Sequence, residues 1–95
     1  MTEINELAEV FKALSDPTRL RLVKLLVDHQ GALCVNALAS QLEVSQSAVS
    51  QHLRVLRQTG LVSSDRRGST VHYALNRAKF NDHQSRLQEM FGEQT

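Results

Sequence analysis

The chain has little of what staples, anchors or activates many other small proteins. Its 95 residues hold a single cysteine, which excludes an internal disulfide framework and fits a reducing compartment. Aromatic residues make up only 4% of it against 41% hydrophobic residues, so the core is expected to be built from Leu, Val and Ala. No apolar run is long enough to span a bilayer, and the acidic N-terminus does not resemble a secretory signal, so a cytoplasmic protein with no membrane partner is expected. Catalytic signatures are missing too: there is no nucleophile motif, no glycine-rich phosphate loop and no His or carboxylate cluster of catalytic spacing. A single domain of this size leaves little chain to enclose a substrate, and the sequence reads as that of a non-enzyme.

Net charge is only +1, yet its distribution is uneven. Residues 45 to 79 hold Arg54, Arg57, Arg66, Arg67, Arg77 and Lys79 against Asp65 alone, between two stretches in which acidic groups outnumber basic ones. A basic middle between acidic ends is the electrostatic footprint of a polyanion partner, with affinity drawn from counterion release at phosphates.

The stretch Ser45 to Gly60 organises the rest. Ser45 is suited to cap a helix, Gly60 to end it, and Val49, Leu53 and Leu56 form its apolar stripe. Gln46, Ser47, Ser50, Gln51, Arg54 and Arg57 gather on the opposite face. Those side chains read base edges and hold phosphates in a DNA groove. An ordinary solvated face would carry Glu and Lys, and this one has neither.

Upstream, Leu7, Val10, Phe11 and Leu14 give an amphipathic helix over about 4–14, with Glu3, Glu6 and Glu9 near its start. Asp16 and Pro17 then cap and open a second helix, expected to be the most buried because Leu20, Leu22, Val23, Leu25, Leu26 and Val27 crowd it. Its Arg19, Arg21 and Lys24 read as solvated positions. Leu33-Cys34-Val35 has the character of a short strand, Asn36 of a cap, and Ala37 to Leu42 of a short helix. Together with the Ser45 helix this makes a helix-turn-helix over about 36–59, whose second helix would enter the major groove.

A wing-like hairpin is expected over about 61–75. A strand runs from Leu61 to about Asp65, Arg66-Arg67-Gly68-Ser69 forms the turn, and Thr70 to Leu75 returns with Val71, Tyr73 and Leu75 alternating. Arg66 and Arg67 at its tip would reach a neighbouring phosphate or the minor groove. Asn76 is suited to cap a last helix over about 77–92, with Phe80, Leu87, Met90 and Phe91 on one side. Those residues, with Leu7, Val10 and Phe11, either pack within one chain or pair two copies. Pairing suits a two-fold operator, and the homodimer is the expectation.

These segments resemble the ArsR/SmtB family of bacterial winged-helix repressors. FKALSDPTRLRLVKLL, residues 11–26, is similar to the segment that opens the family's core. SQSAVSQHLRVLRQTGLV followed by RRGSTVHYAL resembles its recognition helix and wing. The likeness runs from about Leu7 to Leu75, with every motif in the family's order. It implies a mainly α fold of five helices and a two-stranded wing, paired as a homodimer through its first and last helices. It also implies a repressor on double-stranded DNA, released from a near-palindromic operator by a metal ion or another effector. Carried over, the base-reading candidates are Gln46, Ser47, Ser50, Gln51 and Arg54; Arg66 and Arg67 match the basic wing. His52 falls in the family's QHL element, as a structural or phosphate-contacting histidine.

The effector part departs from the family pattern. Metalloid-sensing members carry a Cys-x-Cys pair where this chain has Cys34-Val35-Asn36, and one thiolate per subunit is a poor site for a soft ion. The zinc-sensing pattern needs Asp-x-His and a later His, whereas here Asp82 and His83 are adjacent and no later His follows. No metal cofactor is expected. Cys34 itself is open to three readings: a small buried apolar residue, a redox-sensitive thiol acting as effector site, or part of a non-standard metal site with His29, His72 or His83. A competing function is a winged-helix module that docks protein through the same face without sequence-specific DNA binding.

Overall fold

Five helices and three strands follow one another in the computed structural model, which describes residues 2–92. They are α1 (Thr2–Leu14), α2 (Pro17–Asp28), β1 (Leu33–Cys34), α3 (Val35–Leu42), α4 (Gln46–Gln58), β2 (Val62–Arg67), β3 (Thr70–Leu75) and α5 (Arg77–Phe91).

Local chemistry sets most of the boundaries. Asp16 caps α2 by accepting from the backbone N–H groups of Thr18 and Arg19 at 2.9 and 3.1 Å, while Pro17 occupies the first turn. Ser45 Oγ accepts from Ala48 N at 3.1 Å, and Asn76 Oδ1 from Lys79 N at 3.2 Å, so α4 and α5 begin as their caps require. Asn36, expected to cap α3, does not. Pairing with β3 holds Cys34 extended, and the chain turns into the helix directly from it, leaving Asn36 inside the first turn.

The core joins α2, α3 and α4 to the base of the sheet. Leu22, Leu38, Val49, Leu53 and Leu56 are fully buried there, with Leu26 and Leu61 beside them. Burying a side chain of this size contributes about 1.5–3 kcal/mol, so the underside of α4 is held by its stripe of three. Leu20 departs from expectation at 51% exposed. Two residues before Leu22, it projects about 200° around the helix from the buried stripe.

The sheet has the order β1-β3-β2, all antiparallel. The expected short strand is present and adds a third member to the hairpin. Val62 pairs with Leu75 at the buried end and Arg67 with Thr70 at the free end. Arg66 and Arg67 therefore lie in β2 rather than in the turn. Gly68, at φ 64, supplies the positive φ that a two-residue hairpin turn needs, so pairing continues two residues further than a four-residue turn would allow.

Candidate nucleic-acid interface

The helix-turn-helix is closed by a tight connection. Glu43 adopts φ 56 and ψ 42, and its N–H and that of Val44 return to carbonyls of α3, which swings the chain into α4 within three residues. At the far end, Thr59 Oγ1 donates to Leu56 O at 2.7 Å and accepts from Leu61 N at 3.3 Å. Gly60 has φ 78, and a Cβ there would also stand 3.1 Å from Lys79 Nζ. The positive φ is what favours glycine at this corner, because the end of the Lys79 side chain is flexible enough to give way.

Between these ends α4 presents Gln46, Ser47, Ser50, Gln51, Arg54 and Arg57, all exposed. Among the described residues none of these six side chains makes a hydrogen bond or ion pair. The face is rigidly backed and chemically unspent. β2 and β3 follow at once, carrying Arg66 and Arg67 on the exposed half of the ribbon.

His52 is not part of that face. Its side chain is 24% exposed and turned toward the corner between α1 and α2. Nδ1 lies 3.5 Å from Arg19 Nη1 and 3.9 Å from Asp16 Oδ2, and Arg19 Nε also donates to Ala13 O at the end of α1. A neutral ring accepts from Arg19, and a protonated one faces Asp16. The N–H of Arg19 is the main cause that holds the Asp16 carboxyl below its ordinary value; partial burial opposes it, and His52 adds to the lowering. This cluster bolts the flank of α4 to the α1–α2 corner.

Sequence reasoning left Arg19 and Arg21 as solvated and missed their role. Arg21 donates to Leu42 O at 3.2 Å, at the end of α3. Arg77 spreads one nitrogen over Leu26, Val27 and His29 carbonyls at 3.4, 3.0 and 3.1 Å, so it caps the end of α2. Nothing near those helix ends in the sequence hinted at this, since neither α2 nor α3 has a basic residue in its last turn. The basic footprint is correspondingly narrower: Arg77 is spent within the chain, Lys79 lies over Gly60, and Arg67 Nε sits 3.3 Å from Asp65 Oδ2. Arg54, Arg57 and Arg66 have no such partner among the described residues.

The residues expected to pair two copies divide. Leu7 and Val10 are 4% and 5% exposed, because the chain's own core and the inner side of α5 cover them. Phe80 and Leu87 are half-buried beside them. Phe11, Met90 and Phe91 remain outside at 47%, 47% and 76% exposed, joined by Ile4 at 44%.

The family's two metal sites do not fit these residues. Cys34 is half-buried and stands across the sheet from His72, with the Asn36 amide where a second thiolate is needed. Asp82 is held by Arg86 at 3.1 Å, while His83 turns into the apolar cleft between α1 and α5, its ring nitrogens buried and unpartnered among the described residues. Among those residues no group of three or more His, Cys, Asp or Glu side chains is placed to hold a metal ion. No described helix is long and apolar enough to cross a membrane.

This arrangement, a capped helix-turn-helix followed by a basic ribbon, matches a known family. Residues 16–64 fit the model for bacterial regulatory proteins of the arsR family. The chain belongs to the arsR family. Relatives include a transcriptional repressor SmtB homolog of Synechocystis sp., 45% identical over 75 residues that cover 79% of this chain and 55% of that protein. The arsenical resistance operon repressor of Escherichia coli is 44% identical over 68 residues, covering 72% of this chain and 57% of the repressor. The chain thus spans little more than half the length of either relative. Among solved structures, an ArsR-like transcriptional regulator from Rhodococcus sp. RHA1 superposes with a TM-score of 0.82 at 35% identity, over 97% of this chain and 84% of that one. The winged helix-turn-helix fold is shared along nearly the whole chain.

Proposed function

We propose that this arsR-family chain is a sequence-specific DNA-binding transcriptional regulator, a dimeric repressor that an effector releases from a near-palindromic operator. The observation that carries the reading is the face of α4: six exposed Gln, Ser and Arg side chains with no internal partner, on a helix whose opposite stripe is fully buried. Such a face has no part in holding the fold. It suits a major groove, while Arg66 reaches the adjoining backbone from the ribbon.

The partner at the other end of the molecule is a second copy. α5 contains no buried residue, and the Cα radius of gyration is 14.3 Å against about 12 Å for a compact chain of this length. Pairing α1 and α5 across a two-fold axis covers Ile4, Phe11, Met90 and Phe91 and sets two α4 helices for two half-sites. The protein acts without a resident metal, since neither family site is intact, and its effector is of another kind. As a regulator and not an enzyme, it works in the cytoplasm, on the cell's own DNA.

Selection from a random duplex pool at physiological salt tests the reading. An enriched inverted repeat, with half-sites about one helical turn apart, is the expected result. Weak binding without sequence preference and with a shallow salt slope would refute it and leave a protein-docking module.

A further inference from the structure

The first two turns of α4 carry amides and hydroxyls on their exposed face and no cation. Gln46, Ser47, Ser50 and Gln51 are the exposed polar groups there, since Ser45 Oγ is committed to its cap and His52 to Asp16 and Arg19. The first cation on this face is Arg54, in the third turn.

That order restricts which bases the helix can recognise. The N-terminal residues of a recognition helix meet base edges. Guanine presents two acceptors in the major groove and is best met by a side chain with two donors, as Arg supplies. Adenine presents one acceptor, N7, and one donor, N6, which an amide matches with its own donor and acceptor. At 1.5 Å rise and 100° per residue, Gln46 and Gln51 stand about 7.5 Å apart along the axis and about 140° apart around it. They flank the short side chains of Ser47 and Ser50, which let the helix sit close to the groove floor, and their axial spacing equals about two base-pair steps.

We propose that Gln46 and Gln51 determine specificity by reading adenines about two base pairs apart in each half-site, while Arg54 and Arg57 hold phosphates. This rests on the DNA-binding reading above and goes further in naming the bases. It makes the half-site centre A·T, with adenine N7 and N6 as the recognised atoms.

The test uses the full chain and a duplex enriched from the random pool. Each half-site adenine is replaced in turn by 7-deazaadenine, and each guanine by 7-deazaguanine, which remove N7 and keep Watson–Crick pairing. Two adenine replacements are expected to weaken binding roughly 5- to 150-fold each. Gln51→Ala should erase the loss at one of these positions and Gln46→Ala at the other, while Arg54→Ala should leave both losses intact. Losses confined to 7-deazaguanine and erased by Arg54→Ala would overturn the proposal while leaving the protein a sequence-specific regulator. Indifference to every replacement, with enrichment intact, would also overturn it and assign specificity to DNA shape. Failure to enrich any sequence would instead remove the DNA-binding reading on which it rests.

Discussion

Replacing Arg66 by alanine is the perturbation whose size the structure sets most directly. Residues of β2 alternate between faces, so Arg66 shares one face with Val62 and Ser64, while Arg67 shares the other with Asp65. Arg67 is already answered by Asp65 at 3.3 Å. Both partners of that pair are largely exposed, so DNA can compete for the guanidinium, but doing so leaves a carboxylate beside a phosphate. Arg66 carries no such debit. Each phosphate neutralised adds about 0.9 to the slope of log affinity against log salt, so Arg66→Ala should flatten the slope by about 0.9 per subunit, or about 1.8 for a dimer. Raising salt from about 50 to 200 mM should then cost the wild type about tenfold more affinity than the variant. Fluorescence anisotropy with a labelled operator over that range measures both slopes. Arg67→Ala should flatten the slope less, and Asp65→Asn should steepen it by freeing Arg67. Equal slopes for Arg66→Ala and wild type would refute a DNA-contacting wing built on this strand geometry.

Other substitutions test the frame that holds the interface. Leu53→Ala removes a fully buried side chain beneath α4 and should destabilise the fold by about 2–5 kcal/mol in urea titrations; a loss under about 1 kcal/mol would contradict the packing. Asp16→Asn probes the depressed carboxyl. A lowered folded pKa contributes stability that is fully present above the ordinary 3.8 and is lost as pH falls toward the lowered value, so the variant should show a flatter acid limb in urea midpoint against pH, and an unchanged limb would refute the assignment. His83→Leu replaces a ring whose buried nitrogens lack partners among the described residues, and should raise stability by about 1 kcal/mol. Destabilisation would mean that the partner copy completes its hydrogen bonds. Phe91→Glu places a charge on the most exposed aromatic of α5 and should convert dimer to monomer in sedimentation velocity, whereas an unaltered dimer would exclude this face.

What the sequence made legible is what is local and periodic. The caps at Asp16, Ser45 and Asn76, the buried stripe of Val49, Leu53 and Leu56, and the polar face opposite it all follow from spacing along a single helix, where neighbours in space are three or four residues apart. The turn was less legible. Whether Arg66 and Arg67 fall in loop or strand depends on Gly68 taking φ 64, and only in the strand are the two held on opposite faces. Least legible were long side chains acting across the chain. Arg19 reaches His52 from 33 positions away, and Arg77 reaches the carbonyls of α2 from about 50, with no periodicity to announce either. Both sit away from the exposed polar face of α4, yet they decide how α4 and α5 are set against α2. At position 19 even lysine, which preserves charge, would therefore disturb the molecule more than an alanine at position 54. The Arg19 guanidinium engages Ala13 O through Nε and His52 through Nη1, a spread of donors that a point-like ammonium cannot supply, whereas the Arg54 side chain has no partner among the described residues.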